Sequence, residues 1–349
     1  MSRTHDSRTG NGRAQTVAKH EIELLEPVDL CLPNGRLNPQ AVGWSRSAMV
    51  RPNLRGWGRN KRFEYWCIAT PTQVFALNIS HSDYRSTLAA FSLDLHTLTA
   101  VSEVEVRWLP PRKNALPGVT GVIPMEGKGK RLTIRMTPTA TGTHLSLVGE
   151  RLSAELDVFE PRDHEFMGVV VPWDDRRFQY TRKDNCLQVQ GVISVDGVQH
   201  AIERGEGAYA TLDHGRGRWP YSILWNWASG SGTTDGHEIG LQFGAKWTDG
   251  TPSTENALRI DGRIEKISSD IDWNYDTSDW LAPWTITSDR VDLHFTPVYN
   301  RASRYNRLIF LSREDQVFGY FDGTVTSESG RVYRVERVFG WAEEVARRW

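Results

Sequence analysis

From Phe63 onward the chain is written almost throughout in period two. Phe63–Ala69, Val74–Ile79, Val101–Trp108, Leu132–Met136 and His144–Val148 alternate apolar with polar residues or run apolar for a few positions. Side chains on a strand point alternately to its two faces, so this pattern predicts half-buried strands rather than helices. Asp196-Gly197 and Asp261-Gly262 stand between alternating segments, where tight hairpin turns demand positive φ. Leu258–Ile260 and Arg263–Ile267 are the expected arms of the second hairpin. The one segment that reads as helix is Trp341–Arg348, in which Glu343 and Glu344 precede Arg347 and Arg348 in the order favoured by the helix dipole and by i,i+4 pairing.

An internal echo organises these strands. Gly197–Gly207 aligns without gaps on Gly330–Gly340, 133 residues later, sharing Glu203/Glu336 and Arg204/Arg337, and Gly191 and Gly323 correspond upstream with one residue of slack. The simplest reading is two related halves. Two β halves must hide their sheet edges, and closed antiparallel barrels do so economically. The expectation is an all-β chain of two tandem lipocalin-like (calycin) barrels with a short C-terminal helix; a large jelly-roll sandwich uses the same strands. Residues 1–26, polar and Arg-dotted, are expected as a disordered tail, 27–205 as the first barrel and 206–349 as the second.

Charge and cysteine usage exclude several classes of function. Lys and Arg number 42 against 43 Asp and Glu, for a net charge of −1, with no block of like charge, so the electrostatic footprint of a nucleic-acid partner is missing. Three scattered cysteines, Cys31, Cys67 and Cys186, suggest neither a disulfide framework nor a zinc site. With no apolar leader and no apolar run long enough for a membrane span, a cytoplasmic protein, monomer or homodimer, is expected. No GxSxG, Walker or dinucleotide-binding motif occurs, and no HxH or HExxH, so neither metal nor cofactor is expected. Seven of the fourteen tryptophans fall between Trp219 and Trp284. Such a cluster fills a core or lines a pocket for an apolar ligand, and composition leaves that choice open.

At Phe63–Trp66, Leu212–Tyr221, Trp225–Trp227, Thr254–Ala257, Pro283-Trp284 and Phe339–Trp341 the sequence resembles a bacterial family of double-lipocalin proteins of unknown function, similar in turn to carotenoid 1,2-hydratase, AttH and tocopherol cyclase. The resemblance covers roughly residues 40–349 and implies a hydrophobic cavity and cofactor-free addition of water or ring closure. The hydratases carry a Tyr-His-Asp-His-Asn type segment. Here Asp213 and His214 match it, while Gly215 takes the Asn position.

Acid-catalysed hydration or cyclisation needs a proton donor beside an alkene, a group to trap the cation, and aromatic faces that stabilise positive charge. Asp213 is the candidate acid, or else a cap on the turn at Gly215. His214 is its candidate proton partner, although neighbours on a regular strand face opposite ways, so both reach one cavity only if Gly215 and Gly217 break the strand. Glu255 is the second acid/base candidate, with Asn256 orienting water or substrate. Tyr221, Trp225 and Trp227 share one parity and are candidate walls, with Asn226 and Trp284 as further ligand-binding residues. Lys183 is placed to cross toward the other half. The expected function is a lyase or isomerase acting on a hydrophobic small molecule. A carrier of lipids or hydrophobic metabolites has the same walls, and a carbohydrate-binding sandwich the same residue types.

Overall fold

The computed structural model describes residues 18–109, 116–118, 121–307 and 310–348. Short strands β1 (Val28–Asp29), β2 (Trp44–Ser45) and β3 (Val50–Arg51) lead into a meander of β4 (Asn60–Ala69), β5 (Gln73–Ser82), β6 (Arg85–Asp94) and β7 (Ala100–Trp108). There follow β8 (Met125–Lys128), β9 (Thr133–Thr139), β10 (Gly142–Val148), β11 (Leu152–Phe159), β12 (Met167–Pro172), β13 (Phe178–Val195), β14 (Val198–Ile202) and β15 (Tyr209–Arg218). β1 and β3 pair with each other in parallel, and the others build one sheet in the order β7-β6-β5-β4-β15-β13-β11-β10-β9-β8, with β12, β14 and β2 on side branches.

The second sheet takes β16 (Ser222–Thr234), β17 (His237–Ala245), β18 (Asn256–Ile260), β19 (Arg263–Ile267), β20 (Asp272–Asn274), β21 (Trp284–Thr287), β22 (Val291–Arg307), β23 (Phe310–Thr326) and β24 (Val332–Arg348). Its order is β19-β18-β17-β16-β24-β23-β22-β21-β20, the same pattern as the first sheet's path with one strand fewer. Gly191 and Gly323 sit at equivalent places with φ of +136° and +139°. A Cβ on either would strike a carbonyl oxygen of the neighbouring strand, that of Glu155 or Asp292, so the repeated glycine has a steric cause.

Each sheet curls round its own core, giving tandem lipocalin-like barrels. In the first, Ile68, Leu77, Ile134, Leu145, Leu156 and Val189 are buried together. The edge strand β7 is drawn across to the opposite wall by two glutamates. Glu103 accepts from the N–H groups of Glu150, Arg151 and Leu152, and Glu105 from those of Lys130, Arg131 and Leu132. In the second barrel Leu241, Leu258, Trp284, Ile286, Phe295 and Phe321 form the core. The barrels meet through Cys67, Ala76, Phe91 and Leu93 on one side and Trp227, Phe318 and Trp341 on the other, with Phe91 and Phe318 stacked at 5.9 Å.

One expectation needs correction. Trp341–Arg348 is not helical but the end of β24, hydrogen-bonded on both sides to β16 and β23. Its charges pair across strands instead of along a helix: Glu344 with Arg313 and Lys246, Arg347 with Glu314. Two flanking ladders satisfy the backbone, which local charge order cannot outweigh. The division after residue 205 falls before β15, which pairs with β4 and β13 of the first sheet, and we propose the boundary between Arg218 and Ser222 instead. Of the expected tail, residues 1–17 lie outside the described residues, whereas 18–26 are held against both barrels. Glu23 bridges to Trp44, Lys19 N–H donates to Ser268 O at 2.8 Å, and Glu21 pairs with the buried Lys266 at 2.7 Å. Among the described residues no helix is long and apolar enough to cross a membrane.

Candidate functional site

A cavity of about 740 Å³ opens between the two barrels and is lined from both. Alternation explains who faces it. On β13, Gln179, Thr181 and Lys183 share a parity, and the register sets Lys183 opposite Asp213 of β15, which in turn lies opposite Tyr65 of β4. From the second barrel, Trp225 and Trp227 of β16 stand opposite Val345 and Glu343 of β24, and all four line the cavity. Glu255, just before β18, reaches in from the same barrel.

Lys183 is the centre of the polar floor. Its ammonium donates to Asp213 Oδ2 at 2.8 Å, lies 3.3 Å from Glu255 Oε2 and sits 3.9 Å from the centre of the Trp227 ring. Thr181 Oγ1 donates to the other oxygen of Asp213 at 3.0 Å. Trp247 Nε1–H donates to Glu255 Oε1. Gly244 backs this carboxylate closely: a Cβ there would collide with it. Burial alone would push the Lys183 ammonium down, but the flanking Asp213 and Glu255 outweigh it and raise its pKa. Glu255 is held above the ordinary carboxyl range by burial first and by the negative charge of Asp213, against the opposing pull of Lys183.

Glu343 brings a further carboxyl to the same space. Glu343 Oε1 accepts from Trp225 Nε1 at 2.9 Å. Burial, reinforced by the charge of Glu314, pushes its pKa up to about 8, so at neutral pH it is chiefly the protonated acid. The walls are rings that satisfy their own N–H groups: Trp219 donates to Gln179 Oε1 at 2.6 Å and Trp227 to Gln242 Oε1 at 3.0 Å. Trp219 and Trp225 meet edge to face at 5.6 Å, as do Tyr65 and Trp227 at 5.9 Å.

Of the residues singled out from sequence, Asp213, Glu255, Tyr221, Trp225 and Trp227 all line this cavity. His214 does not join them. β15 runs against β4 without a register shift, so His214 points to the opposite face from Asp213. There its Nδ1 lies 2.5 Å from Glu64 Oε1, and Arg216 donates to the same oxygen at 2.7 Å. Burial and the neighbouring Arg216 lower the pKa of His214, which marks a buried structural group. Gly215 and Gly217 do not break the strand; they make room, since a Cβ on Gly215 would meet Phe63 and Gln179, and one on Gly217 would meet Gln179.

Asn226 is on the wrong parity for the cavity. It faces the second barrel's interior, donating to Tyr275 Oη at 2.9 Å and to Glu343 O at 3.0 Å. Trp284 is wholly buried in that interior, stacked on Tyr275 at 4.2 Å. Asn256 ties backbone, accepting from Gly244 N–H at 2.8 Å and donating to Ser269 O at 3.0 Å. Glu343, Trp219, Trp247, Gln179 and Thr181 were missed. Extending the Trp225/Trp227 parity across a strand pair exposes Glu343, had its segment been read as strand. Among the described residues, no group of three or more His, Cys, Asp or Glu is arranged to hold a metal ion.

A family profile described as a domain of unknown function, DUF2804, matches residues 21–349. Among solved structures the chain is similar to a protein assigned as AttH from Nitrosomonas europaea, with 12% identity, TM-score 0.50, and 82% of this chain and 92% of that one covered. It is also similar to kievitone hydratase from Nectria haematococca, with 9% identity, TM-score 0.48, and coverage of 82% and 88%. A third similarity is to CghA in complex with Sch210972, with 11% identity, TM-score 0.45, and coverage of 83% and 88%. The sequence has no significant match among curated proteins.

Proposed function

The chain belongs to the DUF2804 family, and from that premise we propose that it is an enzyme that hydrates, dehydrates or cyclises an apolar small molecule by acid/base chemistry in the cavity between its barrels. The observation that carries this reading is the meeting of a protonated Glu343 with the Asp213–Lys183–Glu255 ion triad in one space walled by tryptophan.

The roles follow from what each group can do. Glu343 gives its proton to an alkene carbon, and the rings of Trp225 and Trp227 face the carbocation that results. Water adds to the cation and passes its surplus proton to Asp213. Asp213, whose two oxygens accept from Thr181 and Lys183, faces the same space and takes the role of acceptor rather than acid. Return of that proton to Glu343 through solvent completes the cycle. Dehydration is the same path reversed, and an internal hydroxyl in place of water gives ring closure. Lys183 positions Asp213 and Glu255 and keeps two buried carboxyls from repelling each other.

The test is mass spectrometry of an apolar cell extract incubated with the wild type, with Asp213→Asn and with Glu343→Gln. A compound shifted by one water, or an isomer of altered retention, that forms only with the wild type supports the reading. If all three proteins retain the same compounds and return them unaltered, the cavity belongs to a carrier and the acid/base roles fall.

A further inference from the structure

The cavity has two chemically different ends. Its floor holds Lys183, Asp213 and Glu255, all at most a tenth exposed as side chains. Its outer end is set by the register: Lys61 of β4 lies opposite Ser82 of β5, and Ser82 opposite Arg85 of β6, while Arg347 of β24 approaches from the other barrel. Tyr305, opposite Ser312 and so one strand from Arg347, and Trp108, opposite Arg85, are both about half exposed at this same end.

We infer that the ligand of this cavity is an amphiphile with one anionic head group, a carboxylate or phosphate, seated by Lys61, Arg85 and Arg347. The inference rests on the reading of the cavity as a small-molecule site and adds the class of that molecule.

Unmet donors are the first support. Lys61, Arg85 and Arg347 face this end of the cavity, where Arg347 holds Glu314 at 2.9 Å. The Nε atoms of Arg85 and Arg347 are buried and without a hydrogen-bond partner among the described residues. An arginine that gives up hydration at a donor without replacing it costs stability unless an acceptor arrives. Burial, and then the positive charges of Arg347 and Arg85, push the Lys61 ammonium well below its ordinary value, against the opposing Glu314. Mutual repulsion of this kind is relieved by an anion lodged among the three.

Distance is the second support. Lys61 precedes Tyr65 by four positions on β4, and Tyr65 is level with Asp213. At roughly 3.3 Å per residue the head group sits about 13 Å from the reacting floor. Between the two ends run Phe63, Trp219, Ile223 and Trp225, an apolar stretch suited to the body of the molecule. Lys61 caps the Trp219 face at 4.0 Å, so ring and charge are already joined at the outer end.

The experiment titrates the full chain, by tryptophan fluorescence, with tetradecanoic acid, tetradecyl phosphate and 1-tetradecanol. The two acids separate a carboxylate from a phosphate source. The expected result is that the preferred acid binds about 10- to 100-fold tighter than the alcohol, as a charge-assisted contact supplies. That preference shrinks severalfold in Arg85→Gln and in Lys61→Gln/Arg347→Gln, in which retained binding of the alcohol reports a folded cavity. Equal affinity for acid and alcohol, or a preference that survives both sets of variants, overturns the head-group inference while leaving the cavity's role standing. Binding of none of the three overturns both.

Discussion

Replacing Glu343 by Gln removes one titratable proton from the cavity wall while keeping an oxygen for Trp225 Nε1–H to donate to. Burial and the charge of Glu314 raise the carboxyl from 4.5 to about 8, so the folded chain holds a proton that the unfolded chain releases. The resulting stabilisation is complete below the unfolded pKa and drains away as the pH climbs toward the folded one. Integrated from about pH 5 to about pH 8.5, the linkage amounts to about 4 kcal/mol, on the scale of 1.36 kcal/mol per pH unit. The variant carries no such term. Urea denaturation of both proteins at these two pH values isolates it, because titrations common to the two cancel in the difference. The wild type is expected to lose about 4 kcal/mol relative to Glu343→Gln on going to the higher pH. The lowered pKa of Glu314 acts on the acid side of this window and leaves the sign unchanged. A difference that stays constant between the two pH values, or one in which the wild type gains, refutes both the protonated state of Glu343 and its assignment as acid. The same proton sets the basic limb of the rate profile, so turnover falls as the pH rises past about 8.

Two further perturbations separate site from scaffold. Lys183→Met leaves Asp213 and Glu255 buried without their shared cation, and an unfolding cost of about 3–5 kcal/mol is expected by urea denaturation, recovered in part when Asp213→Asn and Glu255→Gln are added; a single-variant cost below about 1 kcal/mol contradicts the triad. Trp284→Ala empties the second barrel's core and is expected to cost about 3–5 kcal/mol while leaving affinity for an apolar cavity ligand unchanged, whereas a selective loss of affinity at unchanged stability places Trp284 at the ligand after all.

Period-two alternation from Phe63 onward, the Asp-Gly turns and the echo between Gly197–Gly207 and Gly330–Gly340 were enough to read two related all-β barrels, because strand faces, turn dihedrals and duplicated loops are local properties. Residue type and the family resemblance singled out Asp213, Glu255, Trp225 and Trp227, and these side chains line the cavity. The fate of each side chain beyond that was a matter of parity and partners. Asp213 and His214 are adjacent in sequence, yet one faces the cavity and the other Glu64, because β15 stays in register with β4. Trp227 and Trp284 carry the same ring, yet one lines the cavity and the other fills the second barrel. Glu343 reads as a helix charge in isolation and becomes a buried carboxyl of raised pKa only when β16 and β23 flank its strand. The triad joins residues 183, 213 and 255, and Lys183 meets Glu255 across the contact between barrels. Periodicity along the chain therefore specifies the strands and their two faces, but which face becomes cavity is decided when the barrels pack and remove water from one of them.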